Sequence, residues 1–439
     1  MLPSRFRLSR AASGAVASLL AAALVSACGG GGGSSAGAPA NFRVVEGDGQ
    51  ATVSWTAEGG VQYWLFYAPS VSFASVKEWS KLTGAVSKVG YGNDKGIGSP
   101  YIATGLTNGT PYYFAVNGRN DGGDGGPLTA VLSVTPRPSG NAWKTGGSFA
   151  GAPTLRGVTL GTDSSDNSAR YLAVGDGGIV FRSTDAYPST DPLTWEAKAT
   201  LGGQLNAVIY TLGKYIDVGT AGKAWYATTA DSWSAGSASD ARTDGLNALA
   251  SNGGTVVAVG DNGRILTSTD GQSWSPAGSI PAGTPNLYGV AYSPSGLWVA
   301  VGAGCKILTS TDATTWTTVA ASLPGCVDLR GVSVSGSSPY TLAAVGTGAT
   351  GGALVTSSDG TTWTQQADLG STPLYAVAGS YDGRFTAVGG GGAIFFADSL
   401  TSWAPPATNT APAQTMYSVT RGNATYTSVG VGGSSGYAY

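Results

Sequence analysis

The sequence predicts an all-β protein built largely from repeated four-stranded units, and three observations carry that expectation. Glycine is far above ordinary usage, 70 of 439 residues, interleaved with aromatic and β-branched residues, as in many short strands joined by tight turns. No long stretch sustains a 3.6-residue apolar period, so long amphipathic helices are not expected. Third, a short apolar strand ends in Val-Gly seven times, at Gly175, Gly219, Gly260, Gly302, Gly346, Gly389 and Gly430. The spacing of 41–44 residues is that of four strands per repeat.

Charge excludes one class of partner. Only 11% of residues are charged and the formal net charge is −2. Arg5, Arg7 and Arg10 precede Cys28 with no acid among them, so loss of that segment takes the charge to −5. Such a chain offers nucleic acid no electrostatic footprint. With no histidine, the commonest general base and the commonest transition-metal ligand are both missing, and neither a metal nor a cofactor is expected.

The first element is an export signal over residues 1–28. A basic start leads into the apolar run Ala11–Ala27, long enough for a signal core and short for a membrane span. Val25-Ser26-Ala27-Cys28 resembles the bacterial lipobox, in which the cysteine is acylated and becomes the first mature residue. An ordinary secretory signal with a chance cysteine is the alternative. Residues 29–37, opening with Gly29–Gly33, form a tether that buries nothing. Gly29 stands where an aspartate is associated with inner-membrane retention, so the expected location is the cell envelope, on the outer membrane.

Residues 38–138 read as a β-sandwich. Ala51-Thr52-Val53-Ser54-Trp55 is a strand with its tryptophan directed inward, and Tyr63–Tyr67 is the next strongly β stretch. Leu106-Thr-Asn-Gly-Thr-Pro-Tyr112 leads into Tyr113–Val116. This resembles the fibronectin type III signature, which implies that Tyr112 is the corner tyrosine, its hydroxyl bonded to nearby backbone. Leu132–Pro136 is then the last strand, and the stretch between Val71 and Pro100 is longer than the family norm. A spacer role is expected, with ligand contact as the alternative.

Residues 139–439 hold the seven repeats. In the third, Leu246–Leu249 and Thr255–Val259 are the first two strands, Gly260–Gly263 the turn and Arg264–Thr267 the third strand. Ser268-Thr-Asp-Gly-Gln-Ser-Trp274 opens the fourth, and recurs as Ser310–Trp316, Ser357–Trp363 and, with an insertion, Ser183–Trp195. These heptads resemble the Asp-box of sialidase-like, or BNR-like, propellers, which implies a seven-bladed β-propeller. Asp185, Asp270, Asp312 and Asp359 are expected to be structural, accepting backbone N–H bonds across a turn. Thr229 and Ser399 take the aspartate's place where Trp233 and Trp403 remain.

The seventh repeat stops after its third strand. The missing tryptophan-bearing strand stands at the start of the repeats as Ser139-Gly-Asn-Ala-Trp143, in phase with Tyr439, so an N-terminal strand is expected to close the ring. Cys305 and Cys326 fall in connections on one face of a propeller, which makes a disulfide plausible, with two buried thiols as the alternative.

The resemblance to sialidases raises an enzyme hypothesis that the residues do not support. Glu196 is the single glutamate of the repeats, at an outer-strand position, and the arginine-rich opening motif is absent. A different constellation stands out. The second residue of each first strand reads Arg156, Asn206, Asn247, Tyr288, Arg330, Tyr375 and Tyr417, each followed by a small residue. First strands are innermost in a propeller, so these side chains are expected to ring the channel mouth. They suit a polar ligand, a carboxylate or a partner loop; alternatively they satisfy one another and buried water. Arg156 and Arg330 should face each other, their charge compensated by loop aspartates or by a ligand. Propellers similar to photosystem II assembly factors use such repeats for protein contact. The expected function is non-enzymatic binding of a protein or glycan, with a glycosidase and an envelope assembly scaffold as rivals.

Overall fold

The computed structural model describes residues 36–69, 87–89, 97–120, 125–138, 140–165, 168–184, 193–336, 339–422 and 425–438. Cys28 and its signal, the start of the tether, Ser139, Asp185 and Tyr439 lie outside them, as does most of the stretch between Val71 and Pro100.

Strands Arg43–Glu46, Gln50–Ser54 and Tyr101–Thr104 form one sheet. Ser87–Val89, Val61–Ala68, Tyr112–Asn120 and Leu132–Val134 form another. Alternation in Gln50–Ser54 turns Ala51 and Val53 inward, where they meet Trp55, Leu65, Phe114 and Val116 in one core. The Tyr112 hydroxyl accepts the Thr107 N–H at 3.1 Å, tying the start of its strand to the preceding turn.

Seven further sheets follow. Their first strands are Leu155–Asp163, Leu205–Thr211, Leu246–Ser251, Leu287–Ser293, Cys326–Ser335, Leu374–Gly379 and Met416–Gly422. Each of these packs on the next, and the last packs on the first. Apolar clusters lie between consecutive sheets; Val257, Leu287, Val290 and Trp298 make one of them.

The repeated glycine is needed for space. Gly260 has an extended backbone, φ −161°, yet a Cβ there would overlap the Gly245 carbonyl oxygen. The same overlap recurs at the other six, from Gly175 against Thr154 to Gly430 against Thr415. Two and three residues further on, the turn enters the left-handed region, where Asn262 (φ 51°), two after Gly260, and Cys305 (φ 55°), three after Gly302, stand in place of glycine.

The heptads are turn devices. Asp270 accepts backbone N–H groups of Gln272 and Ser273 at 2.7 and 2.8 Å and the Ser268 hydroxyl at 3.0 Å. Asp312 and Asp359 repeat the pattern. The backbone bonds from Ser273 and Gln272 pull the Asp270 carboxyl down to about 2. The tryptophan closes the same turn, its indole N–H donating to the carbonyl three residues back at Trp233, Trp316, Trp363 and Trp403.

In the seventh sheet the place beside the third strand is filled from the start of the repeats, with Thr408–Asn409 outside it. Ala142–Thr145 pairs antiparallel with Ser435–Ala438, Trp143 opposite Ala438 and Thr145 opposite Gly436. Trp143 is 1% exposed, packed with Tyr426, Met416 and Val388, and donates to the Gly140 carbonyl at 2.9 Å. The Cys305–Cys326 disulfide spans 6.1 Å between Cα atoms and joins the turn of the fourth sheet to the start of the fifth. Toward the sandwich, Arg384 pairs with Asp48 as well as Asp382 and Asp398, while Arg137 pairs with Glu46 at 2.7 Å.

Candidate functional site

Six of the first strands bring their second residue, and Cys326–Ser335 its fifth, to one place. Arg156, Asn206, Asn247, Tyr288, Arg330, Tyr375 and Tyr417 line a single cavity of about 230 Å³, joined there by Gln204. A register shift at this residue in each first strand offsets it from the second strand's ladder, as between Leu246 and Ala248 or between Leu329 and Gly331. The residues after it are small because the strands crowd: a Cβ on Gly157 or Gly331 would press on the neighbouring strand's backbone. Deeper in, the space continues between apolar side chains such as Val158, Leu249 and Val377.

The two arginines are already compensated. Arg156 Nε donates to Asp176 at 2.6 Å, and Arg330 Nη2 donates to Asp328 at 3.1 Å. Asp176 stands in a turn, as expected of a compensating loop aspartate, whereas Asp328 lies on the same strand as Arg330, Cys326–Ser335. Each guanidinium also lies over a tyrosine of the adjacent sheet, Arg156 over Tyr417 at 5.1 Å and Arg330 over Tyr288 at 4.4 Å. Tyr375 meets Tyr417 edge-on at 5.1 Å. The amides form the opposite arc. Asn206 donates to the Leu246 carbonyl at 2.9 Å, and Asn247 to the Leu287 carbonyl and to Asp261 at 3.0 and 2.9 Å. Among the described residues, the hydroxyls of Tyr288, Tyr375 and Tyr417 make no hydrogen bond, and Arg330 Nε is buried without a partner.

The family description "DUF6242 beta propeller domain" matches residues 190–335 and 297–436, together more than half of the chain. The chain belongs to this family. No curated protein matches it. Solved structures resemble the DUF6242 propeller in fold. YCF48 from Cyanidioschyzon merolae is 16% identical with a TM-score of 0.53, covering 68% of this chain and 98% of its own. YCF48 bound to D1 peptide gives 16% and 0.53, covering 69% and 98%. The WD40 beta propeller domain of Doa1 gives 14% and 0.51, covering 68% and 97%. The first strands of the DUF6242 propeller therefore line its central channel, and the cavity is one channel mouth.

Gln204, Asp176, Asp261 and Asp328 belong to the mouth and were not among the expected residues. The sequence carries a signal for two of them: Gln204 and Asp328 stand two positions before Asn206 and Arg330, the spacing that shares a strand face. Asp176 and Asp261 follow the repeated glycine and read as turn residues; their reach toward the mouth needs the ring. Glu196 lies on the outermost strand of the first sheet, Trp195–Thr200, where Lys198 pairs with it at 3.0 Å. Among the described residues no cluster of three or more acids, cysteines or histidines is arranged to hold a metal.

Proposed function

We propose that this chain is a non-enzymatic envelope lipoprotein whose propeller mouth binds a protein partner. The supporting observation is the convergence of three tyrosines without hydrogen bonds, two guanidiniums and three amides on one cavity. Because each guanidinium already has a carboxylate, the mouth suits an uncharged polar segment of polypeptide better than a small anion. A propeller of the same fold is solved with a D1 peptide bound, which supports a peptide over a glycan. The position of Glu196 on an outer strand weighs against the glycosidase rival.

In this reading Cys28 carries the lipid, residues 29–37 are the tether and the outer membrane is the site; against the expectation that the tether buries nothing, its Ala36 is buried beside Gly118 and Gly126. Residues 38–138 are a fibronectin type III spacer, supported by the inward Trp55 and the Tyr112 bond to Thr107. Residues 139–439 are a seven-bladed propeller with Asp-box turns, closed by the strand around Trp143, supported by the seven sheets and the pairing with Ala438.

The test is capture of envelope proteins and glycans by the intact chain and by its Arg156→Ala/Arg330→Ala variant. The wild type should retain a protein that the variant loses while melting like the wild type. A glycan retained instead would transfer the reading to carbohydrate. Equal capture by both, or unfolding of the variant, would mean that the ring is structural.

A further inference from the structure

The disulfide and the mouth meet at one residue. Asp328 lies two positions after Cys326, and its two carboxyl oxygens serve different masters. Oδ2 accepts Arg330 Nη2 at 3.1 Å. Oδ1 accepts the Gly304 N–H at 3.1 Å, across the junction from the fourth sheet to the fifth. Gly304 is the neighbour of Cys305, whose sulfur is bonded to Cys326. A backbone bridge between Ala303 and Asp328 runs alongside. Among the described residues, two other junctions carry the matching hydrogen bond, from the residue two after the repeated glycine, with no covalent link. Asn262 N–H donates to Asn286 Oδ1 at 2.9 Å, and Gly391 N–H to Thr415 Oγ1 at 3.4 Å. Neither Asn286 nor Thr415 pairs with a residue of the ring. The covalent clamp stands at the junction whose side chain also holds a mouth arginine.

We propose that Asp328 is a positioning residue for Arg330 and that the Cys305–Cys326 disulfide holds it there, making this side of the mouth redox-sensitive. The inference rests on the mouth being the binding surface. Its logic is local. Cys305 sits in the left-handed region, which disfavours a side chain, and the bond to Cys326 ties that turn to the strand that follows. Cys305 and Cys326 are only partly buried, so a reductant can reach them. A dithiol supplies two electrons and two protons: the S–S bond opens to two thiols and the dithiol becomes its own disulfide. The segment from Cys326 to Asp328 then keeps the Gly304 hydrogen bond and the Ala303 bridge. Val327 between them is bulged and half exposed, packed on little. With Asp328 less firmly placed, Arg330 loses its carboxylate and its fixed station over Tyr288.

Arg156 is a built-in control, because its partner Asp176 belongs to the first sheet, remote from the disulfide. The experiment is phenylglyoxal modification of the full chain, followed by peptide mass mapping at Arg330 and Arg156, so no ligand is required. It compares the oxidised wild type with the Cys305→Ser/Cys326→Ser variant, with dithiol-reduced and alkylated wild type, and with Asp328→Asn. The rate at Arg330 should rise about two- to fivefold in all three, as loss of a half-exposed ion pair implies, with Arg156 unchanged. An unchanged Arg330 rate in the cysteine variant would show that the Gly304 bond alone suffices and would overturn the proposal. So would an unchanged rate in Asp328→Asn, or a parallel rise at Arg156. Failure of the binding reading shows elsewhere, as equal capture by the arginine variant, and leaves these rates untouched.

Discussion

At the scale of single residues, Asp217 breaks the pattern of its repeat. Where the other second strands read Ala-Val-Gly, or Ser-Val-Gly in the last, this one reads Asp217-Val218-Gly219. The side chain is fully buried and neither carboxyl oxygen has a hydrogen-bond partner, so burial pushes its pKa well above the usual carboxylate range. A raised folded-state pKa has a definite sign. Below about pH 4 the group is neutral folded or unfolded and costs only its desolvation. As pH rises the unfolded chain gains by ionising and the folded chain does not, so stability falls until the folded pKa is reached. Asp217→Ala should therefore raise the melting temperature at pH 7, by about 1–3 kcal/mol of unfolding free energy. Its advantage should shrink toward pH 4. Melts showing a pH-independent difference would contradict the account. The odd letter is plain in the sequence, but its burial is not, since that depends on the sheet stacked against it. The same limit applies at the mouth: the seven ring residues follow from the repeat alone and Asp328 from its two-residue spacing to Arg330, while the reach of Asp176 toward Arg156 depends on a turn path that no periodicity encodes.

At the scale of elements, repetition makes the chain readable. Strands of the third repeat fall within about two residues of their sequence-based bounds, because turn glycines and tryptophans punctuate every unit. The sandwich is less regular. Its last strand is Leu132–Val134, shorter than expected, because Pro136 has no N–H to extend the ladder. The role of the repeated glycine was legible only as a turn signal; close backbone approach is a property of the folded repeat. For the heptads, the depressed carboxyl of Asp270 stabilises the folded state above its ordinary pKa near 4, and that stability is lost as pH falls through about 2. Asp270→Ala should cost about 1 kcal/mol at neutral pH and narrow its deficit in acid, read by denaturant melts at pH 7 and pH 2.5. A deficit that is the same at both would mean that the carboxylate does not hold the turn.

At the scale of the whole molecule, anchoring and closure make separate predictions. If Cys28 is acylated, Cys28→Ser should release the chain or leave a heavier precursor; unchanged mass and membrane partition would refute the anchor. If the strand around Trp143 closes the ring, Trp143→Ala should cost about 3–5 kcal/mol, since the cavity opens in the core of the seventh sheet. Deleting residues 139–148 should be worse, exposing the edge of Ser435–Ala438, whereas deleting residues 38–138 should cost much less. Equal melting of the two truncations would sink that model of closure. The pairing of Trp143 with Ala438 also sets a clock. Six complete sheets are made between the two strands, so at about 5–20 residues per second a nascent chain carries Trp143 uncovered for tens of seconds. Until Ala438 emerges, the growing protein is an open row of sheets with an aromatic at one lip, and a pairing of such long sequence separation raises the mean contact separation that slows folding.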